Sequence, residues 1–248
     1  MKSSTQSNFL FLFFILLVLT IWQFSNTSFI VSKPVEIFNA VFVLLFSKVF
    51  WKNIILSSWR VYISLFVALI VGTIIGTLSY FNKTFGRLLE LISYPTQFIA
   101  SATLTIILIM FFGLSNIIPF AIITIIILPN IFVGVKIGMQ NLRKELIDFG
   151  SIYAKSKFNL FRYIIFPQII PYILSGAIRA NAVAWKIVVT AEIFIGISGA
   201  GYLLNTYFRS LNTSKLFALA LLIMLVGLLS DKLLRKIENS LRAYNVKN

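Results

Sequence analysis

Six long apolar runs constrain this chain more than any other feature of it. They cover residues 8–24, 54–81, 91–112, 116–138, 164–197 and 216–230. A helix rises about 1.5 Å per residue, so about 20 apolar residues cross a hydrocarbon core about 30 Å thick. Inside lipid each backbone N–H and C=O must find its partner within the protein, and a helix achieves this within one segment. Only 12% of the 248 residues are charged, roughly half the share usual in a soluble domain. The surface is therefore built to face lipid. The expected fold is all-α: a polytopic membrane bundle of about six transmembrane helices.

The spaces between the runs add detail. Residues 8–24 follow a single Lys2, and no small-x-small cleavage site comes after them, so they read as an uncleaved first membrane helix. Residues 35–51 carry Glu36 and Lys48 on an otherwise apolar helix, which suits the outer membrane interface. Gly72 and Gly76 in the second run, and Gly134 and Gly138 in the fourth, are small residues four apart that let another helix approach closely. Pro95 interrupts the third run early. Pro129 is expected to break the hydrogen-bond ladder of the fourth, which protein or water must then repair. Residues 198–215 read as an outer loop and 231–248 as a basic tail. The division expected is 1–53 (first helix plus interfacial helix), 54–232 (the membrane body, with a polar loop at 139–163) and 233–248 (the tail).

The net charge of +15 reads as topology rather than nucleic-acid binding, because the basic residues lie between apolar runs and form no continuous stripe. Six crossings place both termini on one side. The side holding the termini and the 139–163 loop carries more than twice the Lys and Arg of the other, where Lys33, Lys48, Lys52, Arg60, Arg209 and Lys215 fall. By the positive-inside rule the termini and that loop are cytoplasmic. The chain has no Cys and no His, so disulfides, thiolate chemistry, the usual zinc ligands and imidazole bases are excluded. No cofactor, metal or catalytic residue is expected.

The polar loop carries the strongest signal. Glu145 to Tyr153 forms a short helix by pattern, and Ser156 can cap a second one running to Ile164. Pro167 marks re-entry into the membrane. Two short helices at a bend make a knob suited to a soluble partner's groove. The spacing Asp148-Phe149-Gly150, three residues, Ala154, nine residues, Ile164-Ile165-Phe166-Pro167 resembles the EAA loop of permease subunits of binding-protein-dependent ABC transporters. Downstream, Pro171-Tyr172-Ile173, Gly176-Ala177-Ile178-Arg179, Ala184-Trp185-Lys186, Ala191-Glu192 and Gly199-Ala200-Gly201-Tyr202-Leu203 look like the branch importing nitrate, sulfonates, taurine or thiamine precursors. Ser57-Ser58-Trp59-Arg60 and Phe112-Gly113 are similar to the same branch. The loop departs from the family pattern: Asp148 stands for Glu, Phe149 and Gly150 for two alanines, and Ala154 for Gly.

The resemblance implies a membrane homodimer, cytoplasmic ABC ATPase subunits gripping a coupling loop, and an extracytoplasmic substrate-binding protein. The coupling residues it implies are Glu145, Asp148, Phe149, Gly150, Ala154, Ser156, Phe166 and Pro167. The chain itself has no G-x-x-x-x-G-K-[ST] phosphate cradle, so ATP hydrolysis is expected in a separate subunit and this chain is not expected to be an enzyme.

Arg179, Lys186 and Glu192 are the ionisable residues expected deep in a span, where charges face protein or a watery cavity. With Trp185 they are the candidates for a pathway or gate; structural ion pairing, or packing for Trp185, is the alternative. Lys186 and Glu192 are six apart, on nearly opposite faces of one helix, so they do not pair within it. A small anion suits the two cations. The other function classes are a self-sufficient secondary transporter or channel, which would want an internal repeat or proton-relaying carboxylates, and a membrane enzyme, which would want paired acids or a nucleophile–base pair.

Overall fold

A computed structural model of the chain describes residues 32–96, 98–153 and 156–247, together with Thr20 and Gln23. The first apolar run, residues 8–24, is described only at those two positions, and its expected crossing lies outside the described residues. Ala154 of the loop motif lies outside them too. All regular structure among the described residues is helical.

The helix α1 (Pro34–Leu45) begins at a proline, whose fixed φ suits the first helical turn. Its Ile37, Ala40 and Leu44 share one buried face, set against the last helix of the chain. Residues 35–51 were expected as one helix. Instead the chain turns at Phe46 and Ser47, with Ser47 extended, and α2 (Lys48–Phe81) starts afresh. The Trp51 indole N–H donates to the Leu45 carbonyl at 2.7 Å and pins this corner.

Asn82 ends α2, and its Oδ1 accepts the N–H groups of Thr84 and Phe85, both at 3.1 Å, to start α3 (Lys83–Thr96). Past Pro95 the chain bends by 101° into α4 (Ser101–Phe112). The helix α5 (Ile118–Gln140) continues through Pro129. The proline interrupts the ladder there, since it has no N–H for the Ile125 carbonyl, and it is buried within the protein.

A polar stretch follows, with α6 (Lys144–Tyr153) and α7 (Lys157–Leu160). A five-residue π turn, Phe161–Ile165, leads into α8 (Phe166–Ile195). The turn has a cause in Pro167, whose ring would clash with the Tyr163 carbonyl in a regular helix. The expected outer loop 198–215 holds a helix, α9 (Ala200–Arg209), bent 52° from the α8 segment before it. The last apolar run is one part of a longer helix, α10 (Thr213–Lys247), which continues through the basic residues after Ser230.

Three helices are long and apolar enough to cross a membrane, and five crossings result if each bent pair counts as one. These account for five of the six expected runs. The core lies where α2, α5 and α8 meet, and glycines set the distances. A Cβ on Gly76 would lie 2.7 Å from Val135, and one on Gly134 would lie 3.0 Å from the Tyr172 carbonyl oxygen. Both glycine pairs seen in the sequence therefore sit at helix contacts: Gly72 and Gly76 bring α2 onto α5, and Gly134 and Gly138 bring α5 onto α8.

Candidate functional site

At the end of the bundle away from the α6–α7 stretch, four polar residues of α2 lie on one buried face. Asn53, Ser57, Arg60 and Ser64 recur at intervals of four, three and four, the spacing that keeps side chains on one side of a helix. Arg60 is 2% exposed and meets Glu192 of α8, which is 1% exposed, at 2.7 Å from Nη1 to Oε1. Ser57 Oγ stands 2.7 and 2.8 Å from the two carboxylate oxygens and donates to that group. The Gly201 N–H adds a third donor, at 3.0 Å.

The rest of the network grips the turn between α8 and α9. Arg60 donates from Nη1 to the Ser198 carbonyl at 2.9 Å, and from Nη2 to Ser198 Oγ and Asn116 Oδ1, each at 3.0 Å. Asn53 Oδ1 accepts the Gly199 N–H at 2.7 Å, and Ser57 Oγ accepts the Ala200 N–H at 2.8 Å. Gly196 and Gly199 have φ of +65° and +111°, conformations glycine adopts without a Cβ penalty. The turn thus wraps the carboxylate closely enough that a Cβ on Gly199 would sit 2.1 Å from Glu192 Cδ. This is a buried charge pair with nearly every donor used, as a low-dielectric interior requires.

The opposite face of α8 is different. Ser175, Arg179, Lys186 and Thr190 fall within about 60° of one another around the helix. Arg179 and Lys186 are exposed, and among the described residues neither side chain has a hydrogen-bond or ion-pair partner. Seven residues separate them, about 10.5 Å along the axis. The two hydroxyls are satisfied within the helix, Ser175 on the Tyr172 carbonyl and Thr190 on the Lys186 carbonyl. Beside Lys186 a groove of about 630 Å³ opens between α8 and α10, with Trp185 and Gly227 in its wall and the Asp231–Arg235 pair at its edge.

The α6–α7 elbow lies at the other end. Ser156 Oγ accepts the Asn159 N–H at 3.2 Å and so caps α7. Gln168 of α8 accepts the Arg143 N–H at 3.2 Å, which ties the start of the elbow to its exit. Gly150 is buried, and the side-chain ends of Ile164 and Leu160 pack over it, where α6 meets the π turn. Glu145, Asp148 and Phe149 are exposed, as are Ile152 and Phe158. Phe166 is 38% exposed, and Pro167 sits in the first turn of α8.

The residues singled out in the sequence thus fall into separate places. Elbow residues 145–150 and 156–167 gather at one end. Arg179 and Lys186 share an exposed face. Trp185 is buried, 6% exposed. Glu192 belongs to the interior network and not to that face. Arg60, counted above among the charges of the outer side, is a buried partner within α2. The signal was present in the polar recurrence at 53, 57, 60 and 64, which the apolar character of the run obscured.

A helical bundle with several helices long and apolar enough to cross a membrane, and a polar elbow at one end, has the build of an integral membrane protein. A family model described as "Binding-protein-dependent transport system inner membrane component" matches residues 68–243, and the chain belongs to that family. It is a permease of the ABC importer type. Among its relatives is the aliphatic sulfonates transport permease protein SsuC of Escherichia coli K12, 25% identical over 219 residues, covering 86% of this chain and 83% of the relative. The nitrate import permease protein NrtB of Synechocystis is 27% identical over 109 residues, 44% of this chain and 40% of that one. A solved inward-facing structure of the MetNI methionine ABC transporter superimposes with a TM-score of 0.68 at 15% identity. It covers 78% of this chain and 96% of the matched one, and it shares the fold.

Proposed function

We propose that this permease works as a homodimer around a shared pathway, driven by cytoplasmic ABC ATPase subunits and supplied by an extracytoplasmic substrate-binding protein. The observation that carries the reading is the elbow. It is a charged insertion with exposed apolar side chains, Phe149, Ile152 and Phe158, on two short helices braced against the entry to α8. Such an apolar-tipped knob suits a soluble partner's groove, and its tie to α8 would carry a push from that partner into the membrane. Glu145, Asp148, Gly150, Ala154, Ser156, Phe166 and Pro167 shape the knob or its hinge.

ATP hydrolysis belongs to the partner, since this sequence holds no phosphate cradle of its own. Termini and elbow lie in the cytoplasm, on the Lys/Arg-rich side. Residues 54–232 form the transporting body, with 1–53 and 233–248 attached to it. Arg179 and Lys186 line the pathway, because unpaired cations at this depth need water or an anion. Trp185 backs that lining. Glu192 acts as a gate contact by holding the 196–201 turn against α2. The solute is a small anion, in keeping with the sulfonates, nitrate and taurine for which relatives are named, with a thiamine-type precursor as the other member of that range.

The test is capture of the ATPase subunit by tagged permease from membranes. Wild type is expected to retain it, and a chain with residues 145–157 scrambled is expected to lose it while still inserting. Equal capture by both would overturn the assignment of the elbow.

A further inference from the structure

We infer that two adjoining clefts between α3 and α5 hold one anionic phospholipid, its phosphate beside Lys83 and Arg87 and its acyl chains along Leu91 and Tyr94. The site concerns the lipid around the permease and holds whatever solute is carried.

Gly76 of α2 meets Val135 of α5, so the last residues of these two helices, Phe81 and Gln140, lie together at the elbow's end of the bundle. A cleft of about 320 Å³ opens there, walled by Lys83, Arg87 and Glu90 of α3, Lys136 and Gln140 of α5, and Tyr80 of α2. Lys136 is four residues, about 6 Å, from the end of α5, which is headgroup depth rather than the middle of the hydrocarbon. A second cleft, of about 660 Å³, shares Arg87 and Glu90 with the first and continues past Leu91, Tyr94 and Val133. Ser93 in its wall already donates to the Leu89 carbonyl. Val133 is three residues, about 4.5 Å, deeper along α5 than Lys136. The charged cleft thus lies nearer the membrane surface and the apolar one nearer its middle, the order of head and tail in a phospholipid.

Lys136 pairs with Glu90 across the first cleft, so those two charges cancel. Lys83 and Arg87 stand one turn apart on α3, and neither has a partner among the described residues. Three cations against one carboxylate leave the cleft positive. A phosphodiester answers that charge with oxygens that accept from both a guanidinium and an ammonium, and basic pockets between membrane helices suit such headgroups. Phosphatidylethanolamine carries the same phosphate, but its ammonium would fall among these cations, and the carboxylate is already engaged. Phosphatidylglycerol brings hydroxyls instead, for which Tyr80 and Gln140 are neutral partners. A free phosphate ion would fill the first cleft and leave the second empty of apolar contact, so the two clefts together select the lipid.

The experiment counts lipids bound to the detergent-purified full chain by native mass spectrometry. Dioleoyl phosphatidylglycerol is compared with dioleoyl phosphatidylethanolamine, dioleoylglycerol and the deacylated head, glycerophosphoglycerol. One phosphatidylglycerol per chain is expected to bind saturably and at least about tenfold more tightly than each of the others. Lys83→Gln and Arg87→Gln are each expected to weaken that site about fivefold, and the double variant about 25-fold. Both side chains are exposed, and the double variant is expected to keep the wild-type melting temperature. Lys232→Gln removes an exposed charge of α10 outside both clefts and should leave the affinity within about twofold. Val133→Trp fills the apolar cleft and is expected to reduce phosphatidylglycerol to the affinity of its deacylated head.

Equal binding of phosphatidylethanolamine, or full affinity in the double variant, would overturn the site. So would the deacylated head binding as tightly as the whole lipid, since the first cleft would then serve a soluble phosphate ester. A loss in Lys232→Gln as large as in Lys83→Gln would reduce the effect to the general attraction of a basic chain, and would overturn it equally.

Discussion

Arg60 and Glu192 show why a buried charge in this bundle must be judged with its whole surroundings. The pair joins α2 to α8, but its donors also hold the turn from Ser198 to Gly201, so each residue fixes more than its partner. Glu192→Ala leaves the guanidinium buried without its anion, a loss of about 3–5 kcal/mol, to be seen as a lower melting temperature in detergent. Replacing both, Arg60→Met with Glu192→Met, should cost less than Glu192→Ala alone; a double variant that melts at the sum of the two losses would refute the coupling. Gly201→Ala tests the turn itself. Its Cβ would stand 2.2 Å from the Val189 carbonyl oxygen, a backbone atom that cannot swing aside, and we expect a loss of about 1–3 kcal/mol. Glu192 was legible as a charge in a span. Its partner was not, because Arg60 lies in a different run, 132 residues away, and residue spacing along one helix does not report contacts between helices.

Among the elements, the contacts of α2 with α5 and of α5 with α8 depend on small residues facing backbone or branched side chains. Gly76→Leu would drive a side chain into Val135 and push α2 off α5. A fall in melting temperature equivalent to about 1–3 kcal/mol or more is expected, with membrane insertion kept. The elbow behaves as an element of its own. Gly150→Leu collides with Ile164 and should abolish ATPase capture while the melting of the membrane bundle changes little. Unchanged capture would show that α6 need not close on the π turn. At Gly150, where the loop departs from the EAA pattern, the Ile164 side chain packs over the backbone. Helix spans were readable from apolar runs, but their ends were not. The corner at Ser47, the helix at 200–209 and the run of α10 to Lys247 depend on capping and packing that hydropathy does not record.

For the molecule as a whole, the absence of cysteine makes topology directly measurable. Single Phe149→Cys and Ser210→Cys chains are expected to react with a membrane-impermeant thiol reagent from opposite sides. Ser210 should label in intact cells, and Phe149 only in inside-out vesicles. Labelling of both from one side would remove the elbow from the ATPase and with it the proposed coupling. The two ends of the bundle differ in build: a buried charge pair holds the turn between α8 and α9 at one end, and the elbow tied to α8 stands at the other. Between them, one face of α8 carries two exposed cations.

The sequence by itself determined the apolar character of this protein, its helical class, five of its six expected runs as helices or bent pairs, and the elbow with its family spacing. Those properties are local. They follow from runs of apolar residues and from residue types at fixed separations along one segment. Only the tertiary structure decided which charges are partners and which stand alone. Glu192 meets Arg60, 132 residues away, whereas Lys186, only six residues before it, faces outward. Burial and pairing belong to the way separate helices are set against one another, and no single stretch of chain contains that arrangement.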